Sequence, residues 1–226
     1  MAKRRQFLKK MGKGALALGA MGAFWGYRSK KTRDLNSRAL RPPFALPEDK
    51  FNAACIRCGQ CVQACPYDTL KLASVFEPSV ATGTPYFKAR DIPCELCEDM
   101  PCVVACPSGA LNNEGEDIYQ SQMGVALISD QEKCLNWRGL RCEVCYRVCP
   151  LLDEAITLEK QHNVRTGAHV KMIPIVHSDA CTGCGKCEKS CVLSEAAIKV
   201  FHDEDIMGKQ DDFYRSNSTT DMGGQS

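Results

Sequence analysis

The residues of this sequence with chemistry to offer are its cysteines. Cys55, Cys58, Cys61 and Cys65, with Pro66 behind them, are spaced C-x2-C-x2-C-x3-C-P, the bacterial run that ligates a [4Fe–4S] cluster. Three thiolates two residues apart can curl around three irons of one cubane. The fourth, three residues on, lies on a short helix that points it elsewhere, and in two-cluster ferredoxins it ligates the other cluster. The proline stands where the chain must leave that helix.

The pattern recurs. A second group, Cys94, Cys97, Cys102 and Cys106 before Pro107, carries two extra residues, Pro101 among them, between its second and third cysteines. A third, Cys134, Cys142, Cys145 and Cys149 before Pro150, has seven residues between its first two, and Gly139 eases the turn of that insert. The fourth, Cys181, Cys184, Cys187 and Cys191, has the spacing of the first, with Val192 in place of the proline. The chain's 16 cysteines thus fall into four groups with none left over. A disulfide scaffold is a poor alternative, because near neighbours do not bridge easily. Zinc sites pair two C-x2-C units and need no third cysteine two residues later.

A cluster with four cysteine ligands has no open coordination position. The sequence also lacks a glycine-rich dinucleotide loop, a flavin site and a nucleophile–base pair. It therefore reads as a carrier of single electrons without a catalytic site of its own. The formal net charge of +2 gives no reason to expect nucleic acid as a partner. His162, His169, His177 and His202 read as surface residues. Glu95, Glu98 and Asp99 read as a solvated loop, with a docking face or a lowered potential of the second group as the alternative; Lys186 and Lys189 read as ordinary solubility, with offsetting of the fourth group's negative charge as the alternative. Trp137 reads first as packing, with shielding of a cluster as the alternative.

The elements that must position these groups form an internal repeat. Each unit is a cysteine loop, a short helix and a short strand, near residues 50–80, 85–115, 125–160 and 172–202. The expected fold is α+β: two ferredoxin-like modules, each binding two [4Fe–4S] clusters, within a four-cluster domain over 50–202 and with little regular secondary structure. Alternating or apolar runs predict strands at 68–73, 85–90, 125–128, 155–159, 173–176 and 196–201. Residues 28–49, basic and then Pro-rich at Pro42, Pro43 and Pro47, read as a linker. Residues 203–226 read as a disordered tail.

Residues 1–27 read as a targeting segment. Arg4-Arg5-Gln6-Phe7-Leu8-Lys9 fits the twin-arginine pattern ahead of a mildly apolar, Gly- and Ala-rich run. That route exports proteins already folded around their cofactors. With Phe24-Trp25-Gly26-Tyr27 and then a basic stretch behind the run, no small-x-small cleavage site follows. An uncleaved membrane tether is therefore expected as an alternative to release.

From Arg57 to Leu72 the sequence resembles the NapG-type ferredoxins of periplasmic nitrate reductase systems. The resemblance extends to Gly83-Thr84-Pro85-Tyr86-Phe87, Ala89-Arg90-Asp91-Ile92-Pro93-Cys94-Glu95 and the run from His177 to Lys189. It covers about residues 41–200, and the MauM type of methylamine oxidation shares the architecture. It implies four [4Fe–4S] clusters in a periplasmic, membrane-associated protein working with a NapH-type membrane iron–sulfur protein as a quinol dehydrogenase. Electrons would go on to a periplasmic c-type cytochrome and nitrate reductase. Service to methylamine oxidation, or to a molybdenum oxidoreductase, is the alternative, as is an assembly factor whose clusters never cycle.

The resemblance also implies a nested pairing, first group with fourth and second with third. The ligand sets would then be Cys55, Cys58, Cys61 and Cys191; Cys65, Cys181, Cys184 and Cys187; Cys94, Cys97, Cys102 and Cys149; and Cys106, Cys134, Cys142 and Cys145. Pairing in sequence order obeys the same fourth-cysteine rule and stays open here.

Overall fold

The computed structural model describes residues 39–77, 80–163, 167–168 and 170–202. They belong to one compact unit that begins at Arg38. The targeting segment, the linker up to residue 38, His169 and the tail from residue 203 lie outside the described residues.

The elements are short. In order they are helix α1 (Glu48–Ala54), α2 (Gln60–Ala64), strands β1 (Lys71–Leu72) and β2 (Pro85–Tyr86), α3 (Pro101–Val104), a 3-10 turn (Ile118–Gln120), β3 (Val125–Ile128), α4 (Val144–Arg147), β4 (Ile156–His162), β5 (Val170–Val176), α5 (Lys186–Ser190) and β6 (Ile198–Phe201). Helices α2, α3, α4 and α5 each carry cysteines of one group. The strands expected at 125–128 and 173–176 are present, and the one expected at 196–201 begins at Ile198. The one expected at 68–73 shrinks to Lys71–Leu72. The arms of the hairpin formed by β4 and β5 run past the expected strands, to His162 and from Val170.

Both halves are built on one plan. In the second half β4 and β5, which join the third and fourth groups, form an antiparallel hairpin. There β3, ahead of the third group, pairs antiparallel with β6, behind the fourth. In the first half β1 and β2, between the first and second groups, form the hairpin. There Ala45, ahead of the first group, bridges Leu111, behind the second. A hairpin between two cysteine groups folds them onto each other, and closing that short loop costs less chain entropy than bringing together the ends of the chain. Helix α2 accordingly packs on α3, and α4 on α5.

Residues 39–49 are not a linker. Leu40 is fully buried and exchanges both backbone hydrogen bonds with Phe87 at 2.9 Å. The buried Arg41 donates from Nε to Glu48 at 2.8 Å and from Nη1 to the Thr84 hydroxyl and the Pro85 carbonyl, with its guanidinium 4.6 Å from the Phe51 ring centre. Pro47 precedes α1, whose first turn holds Glu48 and Asp49, the charge sign that suits the positive end of a helix. The prolines read as linker punctuation thus shape a packed segment whose Phe51 and Leu40 join Phe87, Ile128, Ile198 and Val200 in the core.

Candidate metal centres

Each cysteine helix starts after a residue in left-handed conformation: Gly59 before α2, Met100 before α3, Glu143 before α4 and Gly185 before α5. The regular groups use glycine there and the two groups with inserts do not. In the second group the extra residues form a turn that ends at Met100, and Pro101 takes the first helical position, where its missing N–H is no loss. In the third the insert is closed by side chains. The buried Asn136 accepts the Cys142 backbone N–H at 2.8 Å through Oδ1, and the buried Asn163 donates to the Gly139 carbonyl at 3.3 Å. Gly139 has φ +77, and a Cβ there would lie 2.7 Å from Asn163. The sequence marked Gly139 but gave no sign of the two asparagines, since Asn163 lies 24 residues from its partner.

No disulfide joins any of the 16 cysteines. Their grouping follows the hairpins and corrects the nested expectation. Cys65 lines one cavity with Cys94, Cys97 and Cys102, walled by Leu70, Phe87, Met100 and Ile118. Cys191 lines a second with Cys134, Cys142 and Cys145, against Ile128, Val144 and Ile198. Cys61 lies within the electrostatic reach of Cys106, Cys55 and Cys58, and Cys149 within that of Cys184 and Cys181, as is Cys187. The fourth cysteine of each group therefore crosses to its neighbour in sequence: 65 to the second group, 106 to the first, 149 to the fourth and 191 to the third. Neither Cys65 nor Cys106 stands with the sets that nesting assigned it.

The sets themselves adjoin in a definite order. Cys102 of the second lies near Cys61 of the first, Cys94 of the second near Cys184 of the fourth, and Cys187 of the fourth near Cys145 of the third. The order through the molecule is first, second, fourth, third.

Burial pushes the thiols up, to about 12 for Cys94, Cys102 and Cys145 and about 11 for Cys61 and Cys149. Cys187 is driven well above the ordinary thiol value by the same cause. Backbone N–H groups oppose this: that of Leu96 acts on Cys94, those of Trp137 and Asn136 on Cys134, those of Ala126 and Gly183 on Cys181. At Cys106 burial is outweighed by the N–H groups of Leu111, Ser108 and Ala110 and by the Ser108 hydroxyl, 3.7 Å from Sγ, and the thiol is held below its usual value. Donors aimed at sulfur favour a charged, electron-rich centre.

The donor sets suit a cofactor with volume of its own. Among the described residues no three Cys, His, Asp or Glu side chains converge tightly enough to chelate one ion. A lone zinc draws its thiolates to about 2.3 Å from a single point. The sets of Cys65 and of Cys191 each line apolar-walled space instead, which suits a cubane with four thiolates at its corners.

The other candidate residues fall into place. Trp137 reaches Cys134 only through its backbone N–H; its ring packs on the core and does not line the cavity of that set. Glu95 pairs with Lys186 at 2.6 Å, and Asp99 contributes to raising Cys97 after burial. His177 meets the Thr157 hydroxyl at 2.9 Å, and His162 is exposed on β4. Among the described residues no helix is long and apolar enough to cross a membrane.

Two family models match the chain, a 4Fe-4S dicluster domain over residues 54–110 and a 4Fe-4S binding domain over 178–191. The first spans the first two cysteine groups together. Among curated relatives, the ferredoxin-type protein NapG of Haemophilus influenzae is 60% identical over 87% of this chain and 71% of its own. NapG of Escherichia coli is 59% identical over 87% of this chain and 84% of its own. The methylamine utilization ferredoxin-type protein MauM of Methylorubrum extorquens is 56% identical over 73% of each chain.

Proposed function

The chain belongs to the NapG/MauM family of ferredoxin-type proteins, and on that footing we propose that it is a four-cluster electron carrier between a membrane quinol dehydrogenase partner and periplasmic nitrate reductase. That it is an iron–sulfur electron-transfer protein follows from the family and from the 4Fe-4S domains it matches. The finer reading is carried by one observation: its cysteines gather into four sets of four, each drawn from two groups adjacent in sequence. The proposed ligands are Cys55, Cys58, Cys61 and Cys106; Cys65, Cys94, Cys97 and Cys102; Cys134, Cys142, Cys145 and Cys191; and Cys149, Cys181, Cys184 and Cys187. Each half would thus be a two-cluster module.

When bound, a [4Fe–4S] cluster takes up and gives back one electron without breaking a bond. The chain's part is to hold and tune. Thiolates fix each site, apolar walls such as Leu70, Phe87 and Ile128 keep water away, and peptide N–H groups point at sulfur. Cys58 is the exposed cysteine, so the first set meets solvent most directly.

The partners proposed are a NapH-type membrane iron–sulfur protein and a periplasmic c-type cytochrome, with the protein exported by the twin-arginine route and held near the membrane. The NapG relatives are 59–60% identical over 87% of this chain and the MauM relatives 50–57% identical over 71–82% of it, which favours the nitrate side. The test is anaerobic purification with native membranes. We expect about 16 irons per chain, four for each cubane, reduction by a quinol only when the membrane partner is present, and retention of the folded protein in the cytoplasm in Arg4→Lys/Arg5→Lys. Iron near half that value, or co-purification with a methylamine-oxidising system, would displace the reading.

A further inference from the structure

The two halves meet where residues 89–95 of the first lie on residues 183–194 of the second. Arg90 reaches across and spends its guanidinium on backbone carbonyls alone. Nη1 donates to Glu188 at 2.6 Å, Cys191 at 3.0 Å and Lys189 at 3.1 Å; Nη2 donates to Leu193 at 2.6 Å and Ser194 at 3.4 Å. These acceptors are the end of α5 and the turn behind it, the negative pole of the helix that carries Cys187, and the last carbonyls of a helix lack partners of their own. The reverse contact is Lys189, whose Nζ donates to the Asp91 carbonyl at 2.6 Å. Lys186 and Glu95 pair beside them at 2.6 Å. Between these anchors the Cys94 N–H donates to the Cys184 carbonyl at 2.8 Å. The approach is close enough that a Cβ on Gly185 would stand 2.3 Å from the Ala89 Cβ.

We propose that Arg90 is a positioning residue: it clasps the fourth cysteine group to the second, and so holds the Cys94–Cys184 peptide hydrogen bond as the link between the two halves' thiol sets. The argument rests on contact geometry. Cys94 and Cys184 belong to different sets, and one hydrogen bond joins their backbones. From one thiol to the other the path runs through Cβ, Cα and N–H of Cys94, then through the carbonyl, Cα and Cβ of Cys184. An electron using it moves from the reduced set to the oxidised one with no bond made or broken and no proton transferred. Each neighbour of Arg90 among those carbonyls is tied to the fourth group, so the side chain serves the junction and no other element. The electron-path part of this inference rests on the four-cluster reading above; the clasp does not.

The test compares the iron-loaded protein with Arg90→Ala and Arg90→Lys. Amide hydrogen exchange reads the clasp, and the magnetic interaction between centres in the dithionite-reduced protein reads the path. In Arg90→Ala we expect exchange at Cys94 to rise by roughly tenfold, the factor that goes with losing the net worth of a hydrogen bond, and the interaction between halves to weaken while that within each half stays. Arg90→Lys, a single ammonium facing five carbonyls, should fall between. If Arg90→Ala sheds iron, alkylation of the released thiols decides: loss from the sets that hold Cys94, Cys184 or Cys191 supports the clasp, and loss confined to Cys55, Cys58, Cys61 and Cys106 overturns it. An iron-replete Arg90→Ala protein with native exchange at Cys94 and a native spectrum overturns the proposal. An unsubstituted protein with iron for fewer than four cubanes would sink the cluster reading while the exchange result still judges the clasp.

Discussion

The Asn136 side-chain carbonyl accepts the backbone N–H of Cys142 at 2.8 Å and so closes the longest insert in any of the cysteine groups. Seven residues separate Cys134 from Cys142, and a loop of that length has no intrinsic reason to return its second cysteine to the place that a two-residue spacer would give. Asn136 supplies the reason from a buried position.

Asn136→Ala should therefore destabilise the third set. A buried amide left without its acceptor costs about 1–3 kcal/mol. The expected result is earlier thermal unfolding and faster chelator-driven loss of iron, with Cys134, Cys142, Cys145 and Cys191 the first thiols to alkylate. Unchanged unfolding and uniform release from all sets would show that the insert holds itself.

The cysteine spacing made the type of site legible, and the strands at 125–128, 173–176 and 198–201 followed from short apolar runs. The pairing was not fixed by spacing, because the fourth-cysteine rule says that the residue crosses but not to which group. The clue lay in the returning strand at 85–90. A hairpin between the first and second groups, as Lys71–Tyr86 pairing shows, already brings those two together. The segment 39–49 was misread because its prolines signal an absence of regular structure, which is not an absence of packing: Arg41 and Leu40 find their partners 43 and 47 residues along the chain, at Thr84 and Phe87. Arg90 was invisible for the same reason, since its acceptors begin 98 residues away.

A truncation can check the corrected boundary. Removal of residues 1–37 should leave the iron-binding body intact, whereas removal through Pro47 strips Leu40 and Arg41 from the first half. Arg41→Ala alone should cost about 1.5–3 kcal/mol, the range for hydrogen bonds to charged groups, read as a lower midpoint in denaturant. Equal iron content and equal stability of the two truncations would restore the linker reading.

Cluster retention should rise with pH. Burial raises Cys94, Cys102 and Cys145 to about 12 and Cys61 and Cys149 to about 11. In the metal-free fold these groups keep their protons, and their contribution to its stability is present below the ordinary thiol value of 9.0 and lost as pH climbs through 11 to 12. Iron needs the thiolates, so loading releases those protons and is opposed by acid. Reconstitution at pH 8.5 should reach higher occupancy and resist chelator longer than at pH 6.5. Occupancy independent of pH, or higher in acid, would mean that the thiols are ionised before iron arrives.

The pairing itself can be counted. Cys65 lines a cavity with Cys94, Cys97 and Cys102, so Cys65→Ala and Cys97→Ala should damage the same centre. Each single variant is expected to lose one of the [4Fe–4S] signals, because removing one thiolate leaves an iron without its protein ligand and makes that cluster labile. The double variant Cys65→Ala/Cys97→Ala should lose no more than either single. Cys65→Ala/Cys184→Ala should lose two, since Cys184 stands with Cys149 and Cys181 on the other side of the junction. Counting surviving centres by spectroscopy, with iron analysis alongside, separates the arrangements. If the second double loses one centre and the first loses two, Cys65 serves the fourth group after all, and the hairpins join the halves without deciding where their thiols point.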